Sequence, residues 1–419
     1  MSKNARDKRP YIKPVTRIEL SEEQTTLRLI LLVVLLVIVA VAIFIGLRAA
    51  VEVEPGWQKA QVSSGKVNCS TDFTLMYDYS DYRPKDASIA SKKVNAFYST
   101  LTEEAYAIFT AAEYESEFAN VRYLNDHINE RVQVDPALYR ALELIVKYDS
   151  RYPFLAPVYE EYDRIFQQEN ETEASFYDPA KTPELMEYIR EAASFANDSR
   201  MIWLELFDEN QVCLHVDDAY LAFAEYNEVD TFFDFHWMTN GFIIDYMAEK
   251  MMEYGCTTGY LASYDGFNRN LDTRGNSYSH NVYDRVDRDI YLPAVYNYQD
   301  PTAIVVLRNY PMSDGDRWHY FSYSDGTIST TFVDPADGQS KSATDNLFAY
   351  SAEVGCAEIL LQTAPVFIAE ELDLDALEAL TEDGIYSIWG EDMNLHYNDA
   401  QAKLTPMAEN GELYTIALK

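Results

Sequence analysis

The sequence predicts an α+β domain held behind a single transmembrane helix. Three observations carry this. An unbroken apolar run lies near the N-terminus. Beyond it, helix start signals alternate with short β-branched and aromatic stretches over residues 71–419. The negative charge of the chain falls almost wholly on the far side of the run.

The run is Leu29 to Leu47, nineteen residues without charge or proline, bracketed by Arg28 and Arg48. At about 1.5 Å per residue it spans a hydrocarbon core of about 30 Å. Residues 1–28 form a basic tail with seven Lys and Arg against four acids. Positive charge beside a span is retained in the cytoplasm, so the N-terminus is expected inside and the domain outside. A cleaved signal peptide is the alternative. Its apolar core is usually shorter and comes sooner, and the long basic lead-in favours an anchor.

The tail and Arg48 carry a net +4, so residues 49–419 carry −40 of the chain's −36. Such a charge keeps a domain soluble and repels polyphosphate, which argues against nucleic acid as a partner. Cysteines at 69, 213, 256 and 356 are widely spaced with no CxxC pair. Disulfides and buried free thiols both fit that spacing.

Residues 48–70, with Pro55, Gly56 and a Ser-Ser-Gly run, read as a stalk. A helix is expected from about Ser91 to Phe109. Asp135-Pro136 supplies an N-cap and a proline at the first helical position, ahead of Leu138, Leu142 and Ile145. Thr182-Pro183-Glu184 repeats that start before Leu185, Met186 and Ile189. A further helix spans Gly241 to Tyr254, with Gly255 placed to end it in a left-handed conformation. Strands fit Met201–Phe207, Val212–Val216, Thr258–Tyr264, Ala303–Leu307, Ile328–Val333 and Ile385–Trp389. Helices and strands in alternation give the mixed architecture.

The sequence has no P-loop, no dinucleotide glycine fingerprint and no HExxH, and its six histidines show no ligand spacing. Four segments stand out together. They are Ala119–Asn125, Asp234–Asp245, Gly259–Gly266, and Thr331–Gly338 followed by Ala357–Thr363. Asp234 opens a turn into a helix, Asp265-Gly266 is a turn pair, and Asp334-Pro335 is a corner.

In order and spacing these segments resemble the FAD:protein FMN transferases, the ApbE-like family. Its pattern is S-E-x-S-x-x-N, then D-L-G-x-x-A-K-G-Y-x-x-D, a strand ending in G-G, S-G-D-Y before H-I-x-D-P-x-T-G, and A-D-A-x-x-T. Asn125 closes the first motif. Asp234, Gly241 and Asp245 match the second, and Gly315-Asp316, Asp334-Pro335 and Gly338 the fourth. Ala357-Glu358 with Gln362 takes the last. Tyr152–Pro157 is similar to the family's F-D-P-T-x-x-P-L. The resemblance runs in register from about residue 73 to 405.

It implies a two-subdomain fold with FAD in a central crevice, and Mg²⁺-dependent transfer of FMN to a Thr or Ser hydroxyl of a membrane or surface protein. It places cofactor contacts at Asn125, Asp234, Asn240, Asp265, Gly266 and Phe332. It places metal contacts at the Trp237 carbonyl, Glu358 and Gln362, and the motif histidine at Thr331. The departures fall on the chemistry. Asn240 replaces a lysine, Asp265 a glycine, Thr331 a histidine, Glu358 an aspartate and Gln362 a threonine, while Phe235-His236-Trp237 replaces small residues. Two readings follow: a divergent flavin transferase, or a non-catalytic surface binding protein that keeps the fold. The volume left in the crevice separates them.

Overall fold

The computed structural model describes residues 25–51, 55–62, 72–112, 119–313, 316, 318–408 and 410–419. Residues 1–24 of the basic tail, Cys69 and Gly315 lie outside them. Helix α1 (Thr25–Val51) covers the apolar run and is followed by β1 (Trp57–Lys59), β2 (Phe73–Asp78), α2 (Pro84–Phe109), α3 (Val121–Asp126), β3 (Val132–Gln133) and α4 (Pro136–Lys147). Next come α5 (Ala156–Phe166), α6 (Glu171–Tyr177), α7 (Pro183–Asn197), β4 (Ile202–Phe207), β5 (Gln211–Val216), α8 (Asp218–Asn227) and α9 (Thr239–Glu253). The strands β6 (Gly259–Ser263), β7 (Phe267–Asn270), β8 (Tyr278–Val286), β9 (Asp289–Tyr298), β10 (Ala303–Arg308), β11 (Tyr320–Ser322), β12 (Ile328–Thr330) and β13 (Asn346–Ser351) follow. The chain closes with α10 (Cys356–Phe367), α11 (Leu374–Ala379), β14 (Tyr386–Glu391), β15 (Asn394–Tyr397), β16 (Lys403–Pro406) and β17 (Thr415–Leu418).

Among the described residues the main sheet has nine strands in the order β1-β2-β6-β7-β10-β13-β14-β15-β17, antiparallel except at β15–β17. Its strands alternate between two cores, as a pleated sheet covered on both faces must. Val305 joins the large core shared with α9 and α10, whereas Ile304, Phe348 and Ile388 pack under the second sheet, β16-β9-β8. Helices α3 to α8 and the small sheet β3-β5-β4 pack their buried residues into the same large core.

Local signals set the element ends. Asp135 Oδ1 accepts from Ala137 N at 2.7 Å, and Leu138, Leu142 and Ile145 are buried. Thr182 stands at the start of α7, but its hydroxyl leaves the cap and turns to the Phe176 carbonyl at 3.3 Å. Gly255 ends α9 at φ +92°. The strand expected at 328–333 stops at Thr330, since Val333 makes only a single bridge to Ser340. The helix expected from Ser91 begins at Pro84. The segment read as a stalk contributes β1, whose Trp57 pairs with Asp78 at the edge of the main sheet.

Candidate functional site

The N-terminus of α9, the β6–β7 turn and the Thr331–Phe332 segment converge. The Asp234 carboxylate shapes the approach, accepting from His236 N at 2.9 Å, and burial raises its pKa against the pull of His236. His236 takes φ +49°, a left-handed conformation costly for a residue with a Cβ. Two contacts hold it there. Its Nε2 lies 3.1 Å from both oxygens of Asp163 on α5, and its ring stacks on Tyr159 at 4.3 Å. Its Nδ1 meets Thr331 Oγ1 at 3.1 Å. Burial works against the imidazolium, but the Asp163 carboxylate prevails and raises its pKa.

Trp237 and Phe332 fill the middle. Their rings meet edge-on at 5.0 Å, and Phe332 also packs on Phe367 of α10 at 5.1 Å. The Trp237 indole donates to Tyr159 Oη at 3.2 Å. Beside them Asn240 Nδ2 donates to Asp265 Oδ2 at 2.8 Å. Burial pushes the Asp265 carboxyl up to about 6, opposed by hydrogen bonds from Ser263 and Asn240. Gly266, at φ +109°, could not carry a Cβ, which would stand 2.5 Å from the Val306 carbonyl.

What remains between Trp237, Phe332, Thr331, Asp265 and Arg308 is a cavity of about 20 Å³. That is room for one water molecule, against the several hundred Å³ of an ordinary cofactor pocket. Asp265 Oδ1, Arg308 Nε and His319 Nδ1 are buried without a protein partner among the described residues, and their side chains line this cavity. Burial, with the nearby His236, lowers the His319 imidazole to about 4. On the outer side of His236, Tyr264 and His319 an open pocket of about 360 Å³ is walled by Asp163 and Asp234. A pyrophosphate there would meet two carboxylates.

The structure does not bring all the expected residues together. Asn125 stands behind the site and is used up by backbone. Its Nδ2 donates to Val121 O and Phe233 O, and its Oδ1 accepts from Phe232 N and Phe233 N. Glu358 and Gln362 turn to α4. Lys147 Nζ lies 2.5 Å from Glu358 Oε1, Tyr148 donates to the same oxygen, and Gln362 Nε2 donates to Tyr148 Oη at 3.2 Å. Burial opposes the Glu358 charge, but Lys147 and Tyr148 hold its carboxyl below the ordinary range. From α10, Leu360 meets the first turn of α9, where its Cδ2 would stand 3.0 Å from a Cβ on Gly241. Glu358 and Gln362 are each two residues from Leu360, hence about 160° around the helix from it. They therefore share no face with Trp237, and the expected metal set is split. No cluster of three or more His, Cys, Asp or Glu suited to a metal occurs among the described residues.

Sequence reasoning missed Asp163, His319, Arg308 and Leu360. No motif flags them, because they reach the site from separate elements. Asp245, expected only as a motif match, ties α9 to α10 by accepting from Cys356 N at 2.9 Å and Ala357 N at 2.8 Å.

No protein-family model matches the chain, and none of the curated proteins does. Solved structures match. The ApbE protein of Thermotoga maritima superposes with a TM-score of 0.55 at 13% identity, over 86% of this chain and 99% of that one. The flavin transferase ApbE of Vibrio cholerae gives 0.52 at 12% identity, over 86% of this chain and 100% of that one. At these identities the likeness is one of architecture: this chain has the ApbE flavin-transferase fold.

Proposed function

We propose that this chain is a membrane-anchored protein whose extracytoplasmic ApbE-fold domain binds a partner and does not transfer FMN. The filled crevice carries this reading. Trp237 and Phe332 occupy it, about 20 Å³ is left, and Leu360 rather than a carboxylate faces the α9 N-terminus. The residues present do not fit Mg²⁺ with FAD, since Glu358 and Gln362 turn to α4. The anchor rests on α1, whose Leu, Ile and Val side chains between Leu27 and Ile43 are exposed around the whole girth and need an apolar surround. The basic tail supports an inward N-terminus.

Beyond the likeness of fold, the transferase reading is favoured by the open pocket of about 360 Å³ beside His236 and Asp234. Under it, the partner is a membrane or surface protein flavinylated on Thr or Ser. Titrating the full chain in nanodiscs with FAD, with and without Mg²⁺, separates the two by flavin fluorescence. No quenching up to millimolar flavin is the expected result. Tight, Mg²⁺-sensitive quenching would overturn the binding-protein reading.

A further inference from the structure

The domain carries −40, yet one helix face at its membrane-proximal end is basic. Lys85, Ile89, Lys92 and Lys93 follow one another at helical spacing along the first three turns of α2, and all four are exposed. Arg83 and Tyr82, also exposed, precede them. Within 82–93 the lone acid is Asp86. The preceding Asp81 is held by Arg274 at 3.0 Å, which also binds Asp78 and Asp272. The stripe is thus a cationic island with an exposed isoleucine at its centre, 48% accessible.

Its position is fixed by the chain. Helix α1 ends at Val51 and β1 begins at Trp57, so six residue steps, at most about 20 Å, separate them. Trp57 is 43% exposed on the edge of the main sheet. The Gly56 carbonyl accepts from Tyr79 N at 2.9 Å, which sets the Tyr82–Arg83 corner beside it. Gln61 N donates to Asn95 Oδ1 at 3.3 Å, which joins the chain beyond β1 to the far end of the stripe. Whatever surface α1 leaves, this end of the domain is held against it.

We propose that the α2 stripe docks on anionic phospholipid headgroups of the membrane that α1 spans, with Trp57, Tyr82 and Ile89 entering the interfacial layer. The inference rests on the anchor reading of α1. Interfacial aromatic side chains and juxtamembrane Lys and Arg are the groups such a layer accepts. The remaining surface is repelled by an anionic leaflet, and the pocket beside His236 is lined by Tyr106 and Phe109 at the opposite end of α2, so docking at this face turns that pocket away from the bilayer.

The test uses the full chain in nanodiscs, with Cys69→Ser and an Ile89→Cys site carrying a fluorescent dye; Cys213, Cys256 and Cys356 are buried. Headgroup spin-labelled lipid should quench the dye at least about twofold more in phosphatidylglycerol discs than in phosphatidylcholine discs. The difference should vanish in 1 M salt, where the Debye length is about 3 Å. It should vanish too when Arg83→Glu, Lys85→Glu, Lys92→Glu and Lys93→Glu are combined. Equal quenching in both lipids, with the chain still co-eluting with the discs, would overturn the docking while leaving the anchor intact. A chain that fails to co-elute with discs would overturn the anchor and the docking together.

Discussion

Asn240 Nδ2 donates to Asp265 Oδ2 at 2.8 Å, tying the first turn of α9 to the β6–β7 turn. These are the positions where the resembled family has a lysine and a glycine. A lysine there would leave the floor cationic, and a glycine would leave it open. The Asn–Asp pair occupies both positions, beside the cavity of about 20 Å³ that remains. The pair still leaves Asp265 Oδ1 unsatisfied by protein, and burial pushes the carboxyl up.

Asp265→Asn should stabilise the domain above pH 6. The carboxyl is raised to about 6 in the folded chain, against about 3.9 unfolded. Folding therefore favours the protonated acid. That contribution is complete below pH 4 and is lost as pH rises through 6, a span of about 2–3 kcal/mol. Urea unfolding at pH 4, 6 and 8 should show the variant equal to wild type at the lowest pH and more stable at the highest. Equal stability at pH 8 would mean that Asp265 is not strained.

Trp237→Ala should cost about 3–5 kcal/mol, the usual range for deleting a buried tryptophan. The ring is 5% accessible, packs on Phe332 and Tyr152, and spends its N–H on Tyr159. Chemical denaturation measures this directly. A loss below about 1 kcal/mol would show that the crevice is not packed as described.

Asn125→Ala should cost about 2–4 kcal/mol, because it orphans two buried amides and a carbonyl at Phe232 and Phe233. Hydrogen exchange should speed up at those two amides first. Exchange unchanged there would refute its part in holding the approach to Asp234.

Asp163→Asn should remove the acid-side stability that His236 supplies. The imidazole pKa is raised in the folded chain, so its contribution is full below its ordinary value and is lost as pH rises through the raised one. In the variant, burial is opposed only by the Asp234 charge, and the ring's pKa falls. NMR titration of the His236 ring reads this shift, and stability between pH 5 and 9 should flatten in that limb. An unmoved His236 titration would show that Asp163 is not its counter-ion.

The sequence by itself determined where α1 lies, where α4 begins and α9 ends, and which strands alternate with them. Those features are local: a charge-free run, an Asp-Pro start, a glycine free to take positive φ. It also reached the ApbE-like architecture, because the Asp-Pro corner and the turn glycines at 266 and 338 are positions where backbone geometry restricts the side chain. Only the tertiary structure decided what α10 presents to the crevice. The helix is buried on most of its faces, so hydrophobic periodicity leaves open whether Leu360 or Glu358 meets α9. Antiparallel packing against α9, pinned by Asp245 at the α10 N-terminus, settles that choice. The Asp163–His236 contact joins residues 73 apart, and β1 gains its edge position only through β2. Such pairings arise from which buried faces meet, and no window of sequence contains both partners.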